Sequence, residues 1–201
     1  MKIVYIYQKS YITLAATASP NDDRGLFYTK ELENLPKRLF GLASDRVPYN
    51  IYLRSGIPHI PTGQYSMYID PKDVPLLSRA WAYQEILLSL RVLHFGKQEL
   101  GWECIELTNC ECGENNNLTA ISRIHDPHKL HHSLTLANWR DRSALHSRWR
   151  AIVHEYSGLE LTFGKDKLPA LSGLAKQMQR YRPDDKYIGG VWSQSLFQDM
   201  L

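Results

Sequence analysis

The chain has 201 residues, of which 43% are hydrophobic and 22% are charged, and its formal net charge is +3. This composition is that of an ordinary globular protein, and it argues against intrinsic disorder and against a strongly basic nucleic-acid-binding surface. The odd number of cysteines favours free thiols in a reducing compartment, and the apolar run Ile3 to Ile6 is too short for a signal peptide or a membrane span. We therefore expect a cytoplasmic protein that binds neither nucleic acid nor a membrane.

The first 75 residues contain few regular elements. Residues 11 to 18 are rich in β-branched and small side chains, which predicts a strand buried on both faces. Turn residues follow at 19 to 23. Six prolines then interrupt residues 30 to 75, where short strands are predicted at 49 to 54 and at 65 to 69.

The central stretch, Leu77 to Cys104, is the most strongly patterned part of the chain. Asp73 is a suitable N-cap, Pro75 fits the first helical turn, and the helix is predicted to end near Ser89. A mainly apolar stripe at helical spacing is predicted to face a core and comprises Leu76, Leu77, Ala80, Trp81, Gln84, Leu87 and Leu88. A hairpin follows, with strands at 91 to 95 and 100 to 104 around the turn Gly96-Lys97.

The C-terminal part is predicted to be helical. Residues 109 to 117 and 125 to 132 are predicted to be irregular, and a long helix runs from its N-cap at Asn138 to Tyr156, with Gly158 as its stop. A third helix begins around Pro169, and residues 187 to 201 predict a short amphipathic helix. Four arginines suit a solvated helix face: Arg140, Arg142, Arg148 and Arg150. The predicted organisation is an α/β domain over residues 1–118, a linker loop over 119–137 and a helical segment over 138–201 packed on that domain.

Two groups of polar residues suggest chemistry weakly. Cys110, Cys112, His125 and His128 form a C-x-C and H-x-x-H set, but structural zinc sites favour two to four residues between paired cysteines. A polar loop with free thiols is the preferred interpretation, so no metal is predicted. His131 and His132 precede Ser133, but adjacency in sequence gives no catalytic triad.

Twelve residues of the central stretch match, in order, the signature of the fungal heterokaryon incompatibility (HET) domain, and the chain resembles this family. Ile86 departs from the family's usual Arg, and Leu90 departs from its usual Pro. The matching residues are Arg79, Trp81, Gln84, Glu85, Leu88, Ser89, Arg91, Phe95, Gly96, Trp102, Glu103 and Cys104.

Two flanking segments extend this resemblance. Residues 6 to 18 are similar to an Ile-Tyr…Leu-Thr-Ile-Ala-Ala stretch of the family. Residues 156 to 192, with Leu168-Pro169-Ala170-Leu171-Ser172-Gly173, are similar to the segment that commonly follows the domain. The family's N-terminal Leu-Ser-Tyr-Cys-Trp-Gly strand has no counterpart, so the expectation is a HET domain that starts in its middle.

The resemblance implies a fold and a possible chemistry. HET domains look like distant relatives of TIR domains, which have a flavodoxin-like α/β fold, so we expect a partial, N-terminally truncated domain of that type with a β-hairpin insertion and a helical C-terminal part. Some TIR domains cleave NAD with a helical glutamate four positions after a tryptophan. Trp81 and Glu85 have this spacing, which makes Glu85 the catalytic candidate; the substrate-binding candidates are Arg79, Trp81, Gln84 and Trp102.

Several functional interpretations stay open. In the simplest one, Trp81 and Gln84 pack the helix and Glu85 is a solvated or salt-bridged carboxylate, so the protein binds a partner, such as another HET-related protein, without turnover or cofactor. An alternative is an accessory enzyme of fungal secondary metabolism that acts on a small hydrophobic molecule in a pocket lined by Trp81, Tyr83 and Trp102. Two further interpretations remain. One is residual NAD hydrolysis by Glu85, and the other is an incomplete chain that needs upstream sequence to fold.

Overall fold

The computed structural model describes residues 2–29, 37–44, 47–53, 70–111 and 128–200. Within these ranges the fold is mixed α/β, which confirms the predicted class. The strand predicted at 65 to 69 lies outside the described residues. No helix in these ranges is both long and apolar enough to cross a membrane.

A four-stranded mixed sheet in the order β1-β4-β5-β6 forms the β layer. Strand β1 runs parallel to β4, while β4, β5 and β6 form an antiparallel meander. Two separate hairpins are β2-β3 and β7-β8. The strands are β1 Thr13–Ala15, β2 Lys37–Leu42, β3 Pro48–Leu53, β4 Arg91–Phe95, β5 Leu100–Cys104, β6 Thr108–Cys110, β7 Tyr187–Ile188 and β8 Val191–Trp192.

The first strand differs from its prediction. β1 covers three residues rather than eight, and Leu14 is 53% exposed, so burial on both faces is wrong. The reason is position, because β1 has β4 as its neighbour on one side only and ends the described sheet. By contrast, β3 matches the predicted strand at 49 to 54, and β4 and β5 have the predicted bounds.

The described ranges contain six α-helices, and α2 is central among them because it packs against α1, α3 and α5. Its apolar stripe reaches a core shared with α4 and α5, which includes Leu87, Leu145 and Leu171. The helices are α1 Lys2–Lys9, α2 Ala80–Leu88, α3 His128–Ala137, α4 Arg142–Ser157, α5 Pro169–Gln179 and α6 Leu196–Asp199.

Helix α2 starts later than predicted. Two short 3-10 helices, Pro71–Asp73 and Pro75–Ser78, come first, and Asp70, not Asp73, caps the first of them. Arg79 is held extended by a bridge to Glu160, whose carbonyl accepts a hydrogen bond from the Ala80 N–H at 3.0 Å. The α-helix therefore begins at Ala80, while its predicted end near Ser89 is confirmed.

Two boundaries around α3 are also corrected. Residues 128–137, predicted as irregular chain and part of a linker loop, form α3. Asn138 closes the end of that helix, because its N–H donates to the Leu134 carbonyl. The N-cap of α4 is instead Asp141, whose Oδ1 accepts from the Ala144 N–H at 3.0 Å.

The C-terminal segment is a hairpin followed by one helical turn, not a single amphipathic helix. Gly189 and Gly190 have φ angles of 55° and 112°, which place the β7-β8 turn in a region that disfavours a right-handed helix. Trp192 is fully buried, whereas Phe197 is 86% exposed.

The expected solvated arginine face of α4 is wrong in one respect. The Arg148 side chain is only 2% exposed and lies 3.1 Å from Glu155, measured from Nη1 to Oε1. The second carboxylate oxygen of Glu155 accepts a hydrogen bond from the Tyr83 hydroxyl of α2. A buried polar cluster therefore joins α2 to α4 inside an otherwise apolar interface.

Candidate functional site

An open cleft of about 640 Å3 lies at the N-terminal end of α2. Three separate segments build it: the turn after β1, the 3-10 helix that leads into α2, and the chain that follows α4. The backbone fixes two of these together, because the Glu160 N–H donates to the Ser78 carbonyl at 2.7 Å. Arg79 and Trp81, both predicted site residues, line this cleft.

The cleft is polar and carries more acidic than basic groups. Its lining residues include Asp22 and Asp23 from the turn after β1, together with Glu160, opposite one guanidinium from Arg79. Three carboxylates against one cation favour a positively charged ligand group. The indole of Trp81 adds an aromatic surface on which such a cation would stack.

Trp81 is held in place by a side chain from a distant part of the sequence. Its Nε1–H donates to Asp166 Oδ2 at 3.4 Å, and its ring packs against the main core while part of it stays accessible. Asp166 ends the 3-10 helix Gly164–Asp166, just before α5. The indole therefore forms part of the wall of the cleft and part of the α2–α5 interface.

Gln84 lies elsewhere, inside the α2–α5 interface. It is 1% exposed, and its Oε1 accepts a hydrogen bond from the Gly173 N–H at 2.6 Å. A Cβ atom at position 173 would overlap the Gln84 amide and come within 2.7 Å of Val4 Cγ2. The contact therefore requires glycine, and the Gln84 side chain is committed to helix packing.

Glu85 faces the N-terminal helix α1, where it hydrogen-bonds to Tyr7. Burial raises the pKa of Glu85, while the bond to Tyr7 and the nearby Arg79 charge oppose the increase. Burial likewise raises the pKa of Tyr7, and the Glu85 carboxylate adds to this effect. Glu85 is not among the residues that line the cleft, although it lies one turn after Trp81.

Trp102 lies on β5, opposite Leu93 of β4, and is half-buried. By strand alternation it occupies the face of the sheet opposite to that of Glu103. Tyr83, the third residue of the predicted hydrophobic pocket, is bonded to Glu155 instead. Of the five predicted site residues, the structure thus brings only Arg79 and Trp81 together in a described cavity.

No family model, curated protein or solved structure matches this chain. The likeness to HET domains therefore rests on the sequence motifs alone, those of the central stretch and of its two flanking segments. The described residues supply the local geometry on which a functional proposal is built.

A chain of buried polar side chains that sequence reasoning missed crosses the sheet. Thr17 Oγ1 lies 2.9 Å from His94 Nδ1, and His94 Nε2 lies 3.3 Å from Glu103 Oε2. This hydroxyl–imidazole–carboxylate order is that of a catalytic triad. However, Thr17 is fully buried and does not line the cleft, so its hydroxyl has no route to a substrate there. We assign the three residues a structural role.

The cysteines in the described ranges form no metal site. Cys104 and Cys110 are buried and are not in a disulfide, and Cys104 Sγ accepts hydrogen bonds from two backbone N–H groups at 3.4 Å. No group of three potential metal ligands gathers within those ranges. Cys112 and His125, from the weighed zinc set, lie outside the described residues.

Proposed function

We propose that this chain is a cytoplasmic protein related to the HET domain, linked through that family to fungal heterokaryon incompatibility and programmed cell death, that acts by binding rather than by turnover. The observation that carries the proposal is the separation of the candidate residues. Arg79 and Trp81 line an open cleft, whereas Gln84 bonds to Gly173 and Glu85 bonds to Tyr7. The absence of Glu85 from the cleft lining supports binding there better than catalysis.

The chemistry of the cleft favours a protein segment as the ligand. The cleft is open to solvent, so an extended peptide segment can lie in it. The carboxylates of Asp22, Asp23 and Glu160 can pair with a basic residue of that segment. A lysine or arginine stacked on the face of Trp81 would add a cation–π contact. The proposed partner is therefore another protein that presents a basic residue within an exposed segment, and a HET-related protein is one such partner.

Selection from a random-peptide display library tests this proposal. We expect enriched peptides that contain Lys or Arg, and we expect Trp81→Ala and the double variant Asp22→Lys/Asp23→Lys each to weaken their binding about 10-fold or more, which corresponds to about 1.4 kcal/mol. Dissociation constants measured by fluorescence polarisation provide the comparison.

Two exposed residues supply matched controls. Trp139→Ala removes another partly exposed indole, and Asp184→Lys reverses a charge outside the cleft. Both should leave peptide binding unchanged. Failure to enrich any peptide, or equal binding by the cleft variants and the controls, would reject the cleft as a binding site.

Residual NAD hydrolysis is the second candidate, and the environment of Glu85 is the observation that favours it. A partly buried carboxyl with a raised pKa beside Arg79 is typical of functional sites. It ranks second because burial raises the pKa of Glu85 and so disfavours the ionised form, which is the form that stabilises an oxocarbenium-like centre.

Nicotinamide release by the purified protein separates the two candidates. Binding without turnover predicts no release above a buffer blank, for the native protein and for Glu85→Gln alike. Turnover predicts that the native protein releases nicotinamide and that Glu85→Gln abolishes this release. Glu106→Gln, at an exposed position, should retain it. This pattern would instead establish the hydrolase.

A further inference from the structure

A second cavity, of about 280 Å3, lies where the C-terminal end of α2 meets α3. It shares no lining residue with the cleft described above. Its apolar lining residues include Leu87, Leu88, Leu90, Ile105, Leu136 and Tyr181, and polar groups make up nearly half of the wall. Its size is close to the lower limit of about 300 Å3 that is usual for small-molecule sites, so only a compact ligand fits.

Polar side chains from one face of α3 complete the wall. Lys129, His132 and Ser133 are spaced three and four residues apart and therefore lie side by side. Lys129 is 1% exposed, and its Nζ donates hydrogen bonds to the carbonyls of Ile86 and Ser89, the latter at 2.7 Å. An ammonium group carries three hydrogens, so one donor is left after these two bonds.

The imidazole of His132 presents an unused acceptor. His132 is 2% exposed, and its Nε2 lies 3.0 Å from Gln177 Oε1, which accepts the hydrogen bond, so Nε2 carries the proton. Nδ1 then holds a lone pair, and this buried atom has no hydrogen-bond partner in the part of the chain that the structure describes. Burial, reinforced by the Arg148 charge, lowers the pKa of His132 to about 3, so the ring is neutral near pH 7. A buried acceptor of this kind calls for a donor.

We propose that this cavity binds a compact, uncharged and mainly apolar molecule with one hydroxyl group, an alcohol or a phenol, which donates to His132 Nδ1. The hydroxyl oxygen accepts in turn from Ser133 or from the remaining donor of Lys129. An ionised carboxylate does not meet this requirement, because it has no hydrogen to offer to Nδ1. The six apolar residues enclose the rest of the molecule.

Titration with 4-propylphenol tests the proposal, with 4-propylanisole as the matched compound that lacks the donor. We expect chemical-shift changes in two-dimensional NMR spectra that saturate with the phenol at roughly millimolar concentration, as for a fragment-sized ligand. The anisole should bind about 10-fold more weakly, because its oxygen accepts a hydrogen bond but cannot donate one.

Two variants examine the site itself. His132→Phe should reduce the preference for phenol over anisole to about 2-fold or less, and Ala137→Trp, at an exposed lining position, should block both compounds. Ser147→Trp, at an exposed position of α4 outside the cavity, should bind as the native protein does.

A cooperative thermal unfolding transition is the check that each variant folds. If His132→Phe does not fold, Ala137→Trp still provides the decisive comparison. Saturation by neither compound would mean that the cavity holds only water. That result would overturn the proposal, as would equal binding of phenol and anisole or unchanged binding by Ala137→Trp. None of these outcomes bears on the peptide cleft, so the two proposals fail separately.

Discussion

Replacement of Arg148 by Met should lower the free energy of unfolding by about 3–5 kcal/mol, because it removes the guanidinium charge that Arg148 places beside the buried Glu155 carboxylate. The two side chains are 2% and 8% exposed, so water cannot take over the role of the guanidinium. The Tyr83 hydroxyl already donates to the other carboxylate oxygen and cannot also replace the lost cation. Urea unfolding of the two proteins gives the difference.

Two further variants isolate the charge effect from the loss of packing. Arg148→Met combined with Glu155→Gln removes both charges and should recover much of the lost stability. Arg140→Met changes an exposed arginine that stacks on Trp139, and it should cost about 1 kcal/mol or less. If Arg148→Met proved no more costly than Arg140→Met, the buried pair would not matter to stability.

Stability should fall as the pH decreases from about 6.5 towards 3, with His132 as a principal cause. The pKa of this imidazole is about 3 in the folded protein, mainly through burial, and the Arg148, Lys129 and His131 charges lower it further while the bond to Gln177 opposes them. An unfolded histidine has a pKa near 6.5, so the unfolded chain binds the extra proton throughout this range. Linkage then gives a slope of up to about 1.4 kcal/mol per pH unit.

Urea unfolding between pH 7 and pH 4 measures this slope. His132→Phe should make the decline shallower without removing it, because burial also lowers the pKa of His146. His154→Gln, at an exposed position of α4, should keep the native profile. An unchanged slope in His132→Phe would show that His132 is already accessible to protons in the folded state.

Local sequence signals predicted part of the fold well. The β4-β5 hairpin follows from alternation around a short turn, the end of α2 follows from helical spacing, and the start of α5 follows from Pro169. Each of these elements is specified by residues within one or two turns of each other. The start of α2 is different, because the extended conformation of Arg79 depends on a bridge to Glu160, about eighty residues away.

The candidate site was predictable to a similar extent. The central motif pointed to Arg79 and Trp81, but the acidic residues of the cleft come from segments whose proximity only the fold reveals. The hydrogen-bonded series Thr17–His94–Glu103 could not be predicted for the same reason. The sequence did contain a signal for the buried Arg148–Glu155 ion pair. The two residues are seven positions apart, so they lie on the same face of α4 as Ile152, which packs in the core.

The parallel pairing of β1 with β4 has a consequence for the order of folding. Thr13 lies opposite Val92, so the first strand must wait until the chain as far as Phe95 exists before its partner is present. The β4-β5 hairpin closes locally within microseconds, whereas β1 must close a long loop before it gains any contact. We therefore expect β1 and the α1 helix before it to dock late during synthesis and to detach first when the native protein opens partially.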